Sequence, residues 1–150
     1  MPRNVVIACA LVSLIAPRLF ADCGLPRSSC DALTTAGLVF YGEVVEATYH
    51  FDYFGPDGVV SSTGHQEVRF NVLRAFKGTK TGVFGGTFRM DSETPLHFIK
   101  GKRYLVFASQ RDGQWITACG RTSEILLQLK PEEIKELKEL DACPKPPSNR

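Results

Sequence analysis

Apolar and polar residues alternate over the segment 67–76, and this period of two constrains the fold more than any other feature of the sequence. Val68, Phe70 and Val72 share one phase, while Glu67 and Arg69 occupy the other. Such a pattern predicts a β-strand with one buried face and one face in water. Because the chain has 150 residues, of which 43% are hydrophobic, we expect a single, mainly β domain.

Four more segments are rich in β-forming residues. They are 38–51, 83–90, 104–108 and 114–119. Gly42 interrupts the first of them, a position that suits a bulge or a barrel corner better than a plain strand interior. The sequence Arg-Asp-Gly at 111–113 predicts a hairpin between the last two. Five strands result, several of them bent by glycine.

The segments 29–36 and 131–141 predict two short helices that flank the strands. Ile134, Leu137 and Leu140 form an apolar stripe on the second helix, and such a stripe is typical of packing against a core. Five glycine-bent strands with two flanking helices predict a five-stranded, OB-fold-like closed barrel. An immunoglobulin-like sandwich fits less well, because it uses about seven strands.

The N-terminal segment has the pattern of a secretory signal peptide. Arg3 precedes an uncharged apolar run at 5–16, which is too short to cross a bilayer as a helix. The predicted cut follows Ala21, so we expect a secreted or periplasmic protein without a membrane span; an uncleaved anchor is the alternative. The cut removes Arg3 and Arg18 from the eighteen basic residues, which then equal the sixteen acidic ones in number. Residues 22–143 remain as the domain, followed by a disordered, proline-rich tail at 144–150.

Four cysteines remain after this cut, two near each end of the domain. They are Cys23, Cys30, Cys119 and Cys143. An even number of cysteines in an exported chain indicates disulfides, so we expect two bridges. At least two of the three possible pairings join the two ends of the domain and staple the barrel. A metal cluster is disfavoured, because no Cys-x-x-Cys spacing occurs.

Five short segments, in this order, resemble the netrin-like domain superfamily, and in particular the tissue inhibitors of metalloproteinases. They are 23–30 (CGLPRSSC), 36–45 (AGLVFYGEVV), 68–78 (VRFNVLRAFKG), 101–108 (GKRYLVFA) and 117–123 (TACGRTS). The resemblance covers nearly the whole mature chain and implies an OB-fold. It also implies that Cys23 pairs with Cys119, and Cys30 with Cys143.

The same resemblance implies a way of inhibiting zinc proteases. In such inhibitors the free α-amino group and the carbonyl of a first cysteine chelate the catalytic zinc, and the next residue points into the specificity pocket. Cys23 and Gly24 are the matching positions here. The predicted cut leaves Asp22 in front of Cys23 and displaces this amine, so metalloprotease inhibition is the alternative function.

The main hypothesis is a monomeric, non-catalytic module that binds an extracellular or envelope protein. The insert between the first two strands, about 49–65, carries Tyr49, Phe51, Tyr53 and Phe54 ahead of a Gly-Pro-Asp-Gly turn. Aromatics near a loop tip are typical anchors on a partner. The alternative is that a lengthening hairpin packs some of them on the barrel and leaves the others singly exposed.

Other function classes find little support in the sequence. A nucleic-acid groove is disfavoured by export and by the neutral mature charge. The basic residues that such a groove would use are Lys77, Lys80, Arg89, Lys100, Lys102 and Arg103. His50, His65 and His97 show no triad or metal spacing, and no phosphate-binding or nucleophile motif occurs. We therefore predict no catalysis, no cofactor and no metal.

Overall fold

The computed structural model describes residues 28–53, 60–90, 96–117 and 121–144. Nine elements occur in this part of the chain. In order they are α1 (Ser29–Thr35), β1 (Leu38–Tyr53), β2 (Val60–Lys77), β3 (Gly82–Met90), β4 (Arg103–Arg111), β5 (Gln114–Thr117), β6 (Ser123–Ile125), a 3-10 turn (Pro131–Glu133) and α2 (Lys135–Ala142).

Five of these strands close into a barrel. β1 pairs with β2, β2 with β3, and β4 with both β1 and β5, all antiparallel. β3 and β5 run parallel where Phe88 meets Trp115, which completes the ring. β6 pairs with the first residues of β4 and lies outside the ring. The mainly β, OB-fold-like closed barrel predicted from the sequence is confirmed.

One apolar layer fills the interior of the barrel. Its fully buried members are Leu38, Phe40, Val44, Val68, Phe70, Val72, Phe88, Phe98, Tyr104, Val106 and Ala108. Phe98 closes one end of this interior, and its ring makes edge contacts with Phe70, Phe88 and Tyr104 at centroid distances of 5.1, 4.9 and 5.0 Å. Edge-to-face contacts of this kind add to the stabilisation from burial alone.

A second apolar layer lies between the outer surface of β1 and β4 and the two helices. Val39, Tyr41, Leu105 and Phe107 supply its strand side, and Leu137 of α2 is fully buried against them. Because both faces of β4 are covered, residues 104–108 form a continuous apolar run instead of an alternating one. Each fully buried aliphatic or aromatic side chain contributes about 1.5–3 kcal/mol.

A disulfide joins the two helices. Cys30 of α1 and Cys143, just after α2, are bonded with their Cα atoms 5.4 Å apart. This confirms the second bridge that the resemblance implies. Cys23 and Cys119 lie outside the described residues, as do Gly24, Phe54, the signal segment and all but the first residue of the tail.

Most predicted elements lie where the sequence placed them. The pairing register of β1 shifts at Gly42, where an added Cβ would lie 2.8 Å from the Asn71 carbonyl oxygen, so the predicted bulge is confirmed. Asp112 and Gly113 both have positive φ, as a tight hairpin turn requires. The predicted second helix is divided, because a 3-10 turn precedes Ile134 and α2 follows it.

Ile134, Leu137 and Leu140 are buried, as the predicted stripe requires. Neither described helix has the length and apolar content needed to cross a membrane.

Candidate functional site

The β1–β2 hairpin extends well past the closed part of the barrel. β4 accompanies β1 only from Leu38 to Glu43, whereas the pairing of β1 with β2 continues to Tyr53 and Val60. We call residues 46–53 and 60–69 the hairpin arm; β3 still pairs with its β2 side from Gly64 to Arg69, so over that stretch only the β1 side extends beyond its neighbouring strand. Within the described ranges, no strand pairs with the outer edge of β1 along the arm. That edge therefore offers a row of backbone donors and acceptors to another chain.

Two aromatic side chains form the apolar face of the arm. Tyr49 and Phe51 are two residues apart on β1 and so share a face. Their rings stack with centroids 6.0 Å apart and an interplanar angle of 7°. They are 38% and 45% exposed, so the pair presents apolar surface to solvent.

Hydrogen bonds tie this aromatic pair to the end of the barrel. The Tyr49 hydroxyl donates to the Phe98 carbonyl at 3.1 Å. Gln66, opposite Tyr49 on β2 and fully buried, donates to the same carbonyl at 2.6 Å and accepts from the Phe98 N–H at 3.0 Å. The Tyr104 hydroxyl donates to the His97 carbonyl, and burial raises the pKa of Tyr104. The base of the arm is therefore positioned before any partner arrives.

The opposite face of the arm is polar. Arg69 and Glu46 form an exposed ion pair at 3.0 Å. His50 lies directly opposite His65, and their imidazole rings stack 4.7 Å apart at 15°. Glu67 lies two residues after His65 on β2 and so shares its face, and its carboxylate oxygen is 3.7 Å from His50 Nε2. This face thus groups two imidazoles with one carboxylate.

A shallow groove of about 450 Å³ continues this polar face onto β3. Glu46, Thr48, Glu67 and Thr87 line it, and Gly85 adds no side chain. A Cβ at Gly85 would meet nothing within 4 Å, so the glycine leaves the groove open.

Several basic residues that a nucleic-acid groove would use have structural partners. Lys77 donates to the carbonyls of Leu33 and Thr34 at the end of α1. Lys102 pairs with Glu124 at 2.9 Å, and this hydrogen bond raises the pKa of Lys102. Arg103 pairs with Glu43 at 3.3 Å. These side chains fasten strands and helices together.

Of the four predicted aromatic contacts, the structure brings Tyr49 and Phe51 together. The hairpin does lengthen, and the two rings are exposed as a stacked pair and not singly. The role of the insert in partner binding stays a prediction.

The sequence reasoning did not find the cluster of His50, His65 and Glu67. The two histidines face each other because the register of β1 against β2 shifts between Phe51 and Tyr53, and no local pattern in the sequence signals this shift.

Compared with known proteins, the sequence matches no family model and no curated protein.

Proposed function

We propose that this protein is an exported, non-catalytic binding module of the netrin-like type, and that it holds a partner protein through the hairpin arm. The observation that carries the proposal is the exposed, stacked pair of Tyr49 and Phe51 on the part of β1 that extends past its pairing with β4. The signal-like N-terminal segment supports a partner outside the cytoplasm.

The aromatic pair has the properties of an interface anchor. Aromatic side chains carry much of the binding energy in protein interfaces, because they bury a large area with few rotatable bonds. Tyr49 is held by its hydrogen bond to Phe98, so little conformational entropy remains to be lost on binding. Pre-organisation of this kind favours a specific partner.

The open edge of β1 supplies a second binding element beside the pair. An extended segment of the partner adds to this edge as a further strand, with backbone hydrogen bonds giving affinity. Phe51 then provides specificity, because its ring contacts the side chains of the added strand.

The alternative proposal is inhibition of a zinc metalloprotease through the Cys23 α-amino group. The disulfide between Cys30 and Cys143 supports it, since it is one of the two bridges that the netrin-like resemblance implies. N-terminal sequencing of the exported protein separates the two proposals. A chain that begins at Cys23 and loses protease inhibition when one alanine is added in front of it supports the alternative.

The test of the main proposal places a photo-crosslinking amino acid at Phe51 or, as a control, at Val83, an exposed apolar residue of β3. We expect one protein to crosslink at position 51 in the native host and not at position 83. With that partner purified, Phe51→Ala should weaken binding by about 10- to 100-fold, as truncation of an interface anchor does. Val83→Ala should bind as the wild type does.

Equal crosslinking at both positions, or wild-type affinity of Phe51→Ala for the crosslinked protein, would contradict the proposal.

A further inference from the structure

We propose that the polar face of the hairpin arm binds one divalent transition-metal ion, with Zn²⁺ as the reference ion, through His50, His65 and Glu67. The proposal goes beyond the protein-binding function and does not depend on it. It assigns a chemical role to the residues on the side of the arm that faces away from Tyr49 and Phe51.

The geometry of the three side chains points to such a site. One nitrogen from each imidazole and one carboxylate oxygen all lie within 4.8 Å of one another. Ligand atoms around one tetrahedral zinc ion lie about 3.3 Å apart, given bond lengths near 2 Å. His50 Nε2 and the Glu67 oxygen are 3.7 Å apart, and their side chains are 44% and 63% exposed. Because a metal ion binds imidazole in the plane of the ring, the stacked rings of the exposed His50 and the half-buried His65 must rotate out of their stack for both nitrogens to reach one ion.

The backbone places these ligands without distortion of the sheet. His50 and His65 are directly opposed on paired strands, and residues opposed in this way have Cβ atoms about 4.5–5.5 Å apart. Glu67 is two residues from His65 and therefore points to the same side of β2. An ion at this position would join β1 to β2 at the arm.

The chemistry of the ligands selects the class of metal. Two imidazoles and one carboxylate form the donor set of many zinc sites that leave a fourth position for water. Imidazole suits zinc and copper, whereas magnesium and calcium require oxygen ligands. We therefore expect Zn²⁺ to bind and Mg²⁺ not to bind.

The charges around the cluster are mixed. Thr48 and Thr87 flank Glu67 in register and are neutral, and the nearby Arg69 is paired with Glu46. Arg89 lies in register with His65 on β3, so its positive charge opposes the ion and limits the affinity. The open face leaves the fourth position accessible to water.

The experiment uses protein produced without a histidine tag, stripped of metal with a chelator and titrated with Zn²⁺ by calorimetry. We expect one ion per chain. His50→Gln and His65→Gln should each weaken zinc binding by at least about tenfold, because the loss of even a hydrogen-bond partner behind a metal ligand lowers metal affinity by about 10- to 100-fold. His97→Gln is the matched control, because that ring lies beside Tyr49 on the other face, and it should bind as the wild type does.

A second measurement on the unaltered protein does not depend on the variants folding. Zinc should shift the imidazole nitrogen resonances of His50 and His65 in an NMR spectrum, and leave those of His97 in place. The proposal is overturned if no ion binds, if the His50 and His65 variants bind zinc as the wild type does, or if zinc shifts the resonances of His97 alone.

Discussion

The two ends of strand β1 belong to regions with opposite environments. Near its start, Val39 and Tyr41 are fully buried under the helices while Phe40 is fully buried inside the barrel. Farther along, in the hairpin arm, Tyr49 and Phe51 expose more than a third of their surface. At residues 38–41, which we call the helix-covered side, both faces of β1 are buried, whereas at residues 48–52 in the arm both faces of β1 are exposed.

This difference separates stability from binding within one continuous strand. The change begins between the Gly42 bulge and the register shift between Val44 and Glu46, past which β4 no longer accompanies β1. Burial on the helix-covered side stabilises the fold, so the arm can keep apolar and ligand-bearing side chains at the surface. Substitutions on the two sides should accordingly have different consequences.

The largest effect is expected from removing the disulfide of the helix-covered side. In the double variant Cys30→Ser, Cys143→Ser, the unfolded chain regains the freedom of a loop with a sequence separation of 113. We expect the free energy of unfolding to fall by about 4–5 kcal/mol, measured by urea denaturation. A loss below about 1 kcal/mol would show that the packing of the helices, without the disulfide, accounts for the stability of this side.

An intermediate effect is expected where the arm meets the barrel. Gln66→Leu leaves the Phe98 N–H without its buried acceptor, so we expect a loss of about 1–3 kcal/mol and faster amide exchange at Phe98. Asn71→Leu is the control, since Asn71 is exposed on the same strand, and it should change stability by less than about 0.5 kcal/mol. Equal losses in the two variants would mean that Gln66 does not hold the base of the arm.

The smallest effect concerns the pH dependence of the helix-covered side. The Ser29 hydroxyl donates to Glu139 at 2.6 Å and lowers the pKa of that carboxyl below its ordinary value of 4.5. A lowered pKa in the folded state stabilises the protein above pH 4.5, and this contribution is lost as the pH falls through the folded value. Ser29→Ala should therefore be less stable than the wild type at neutral pH, with a smaller difference in acid.

Urea denaturation at neutral and acidic pH checks this prediction, with Thr34→Ala as the control on the exposed side of α1. A stability difference between the wild type and Ser29→Ala that stays constant with pH would contradict the assigned role of the hydroxyl.

The elements were predictable because each depends on local patterns. The alternation around Phe70, the glycine at position 42 and the Asp-Gly turn at 112–113 gave strands, bulge and hairpin close to their observed places. The three-residue strand β6 was missed, because a segment as short as 123–125 carries no measurable period. The 3-10 turn before α2 was missed because Pro131 suits the first turn of either type of helix.

The candidate site was only half predictable. The aromatic residues were visible in the sequence as a group, since they lie within a few positions of one another. The cluster of His50, His65 and Glu67 was not, because its members come from two strands and their meeting depends on which residue opposes which. A slip of one residue in that register would move His65 to the other face of the sheet.

By itself, the sequence determined the β-rich class, the barrel type, the positions of the helices and the apolar stripe on α2, since periodicity and turn chemistry are local properties of the chain. The tertiary structure alone decided that β1 extends beyond its pairing with β4 and that the rings of Tyr49 and Phe51 stack while exposed to solvent. It also decided that two histidines lie beside a glutamate on the opposite face. These features follow from the register between β1 and β2 and from the residue at which the pairing of β1 with β4 ends. Both are set by contacts between residues that are far apart in the sequence.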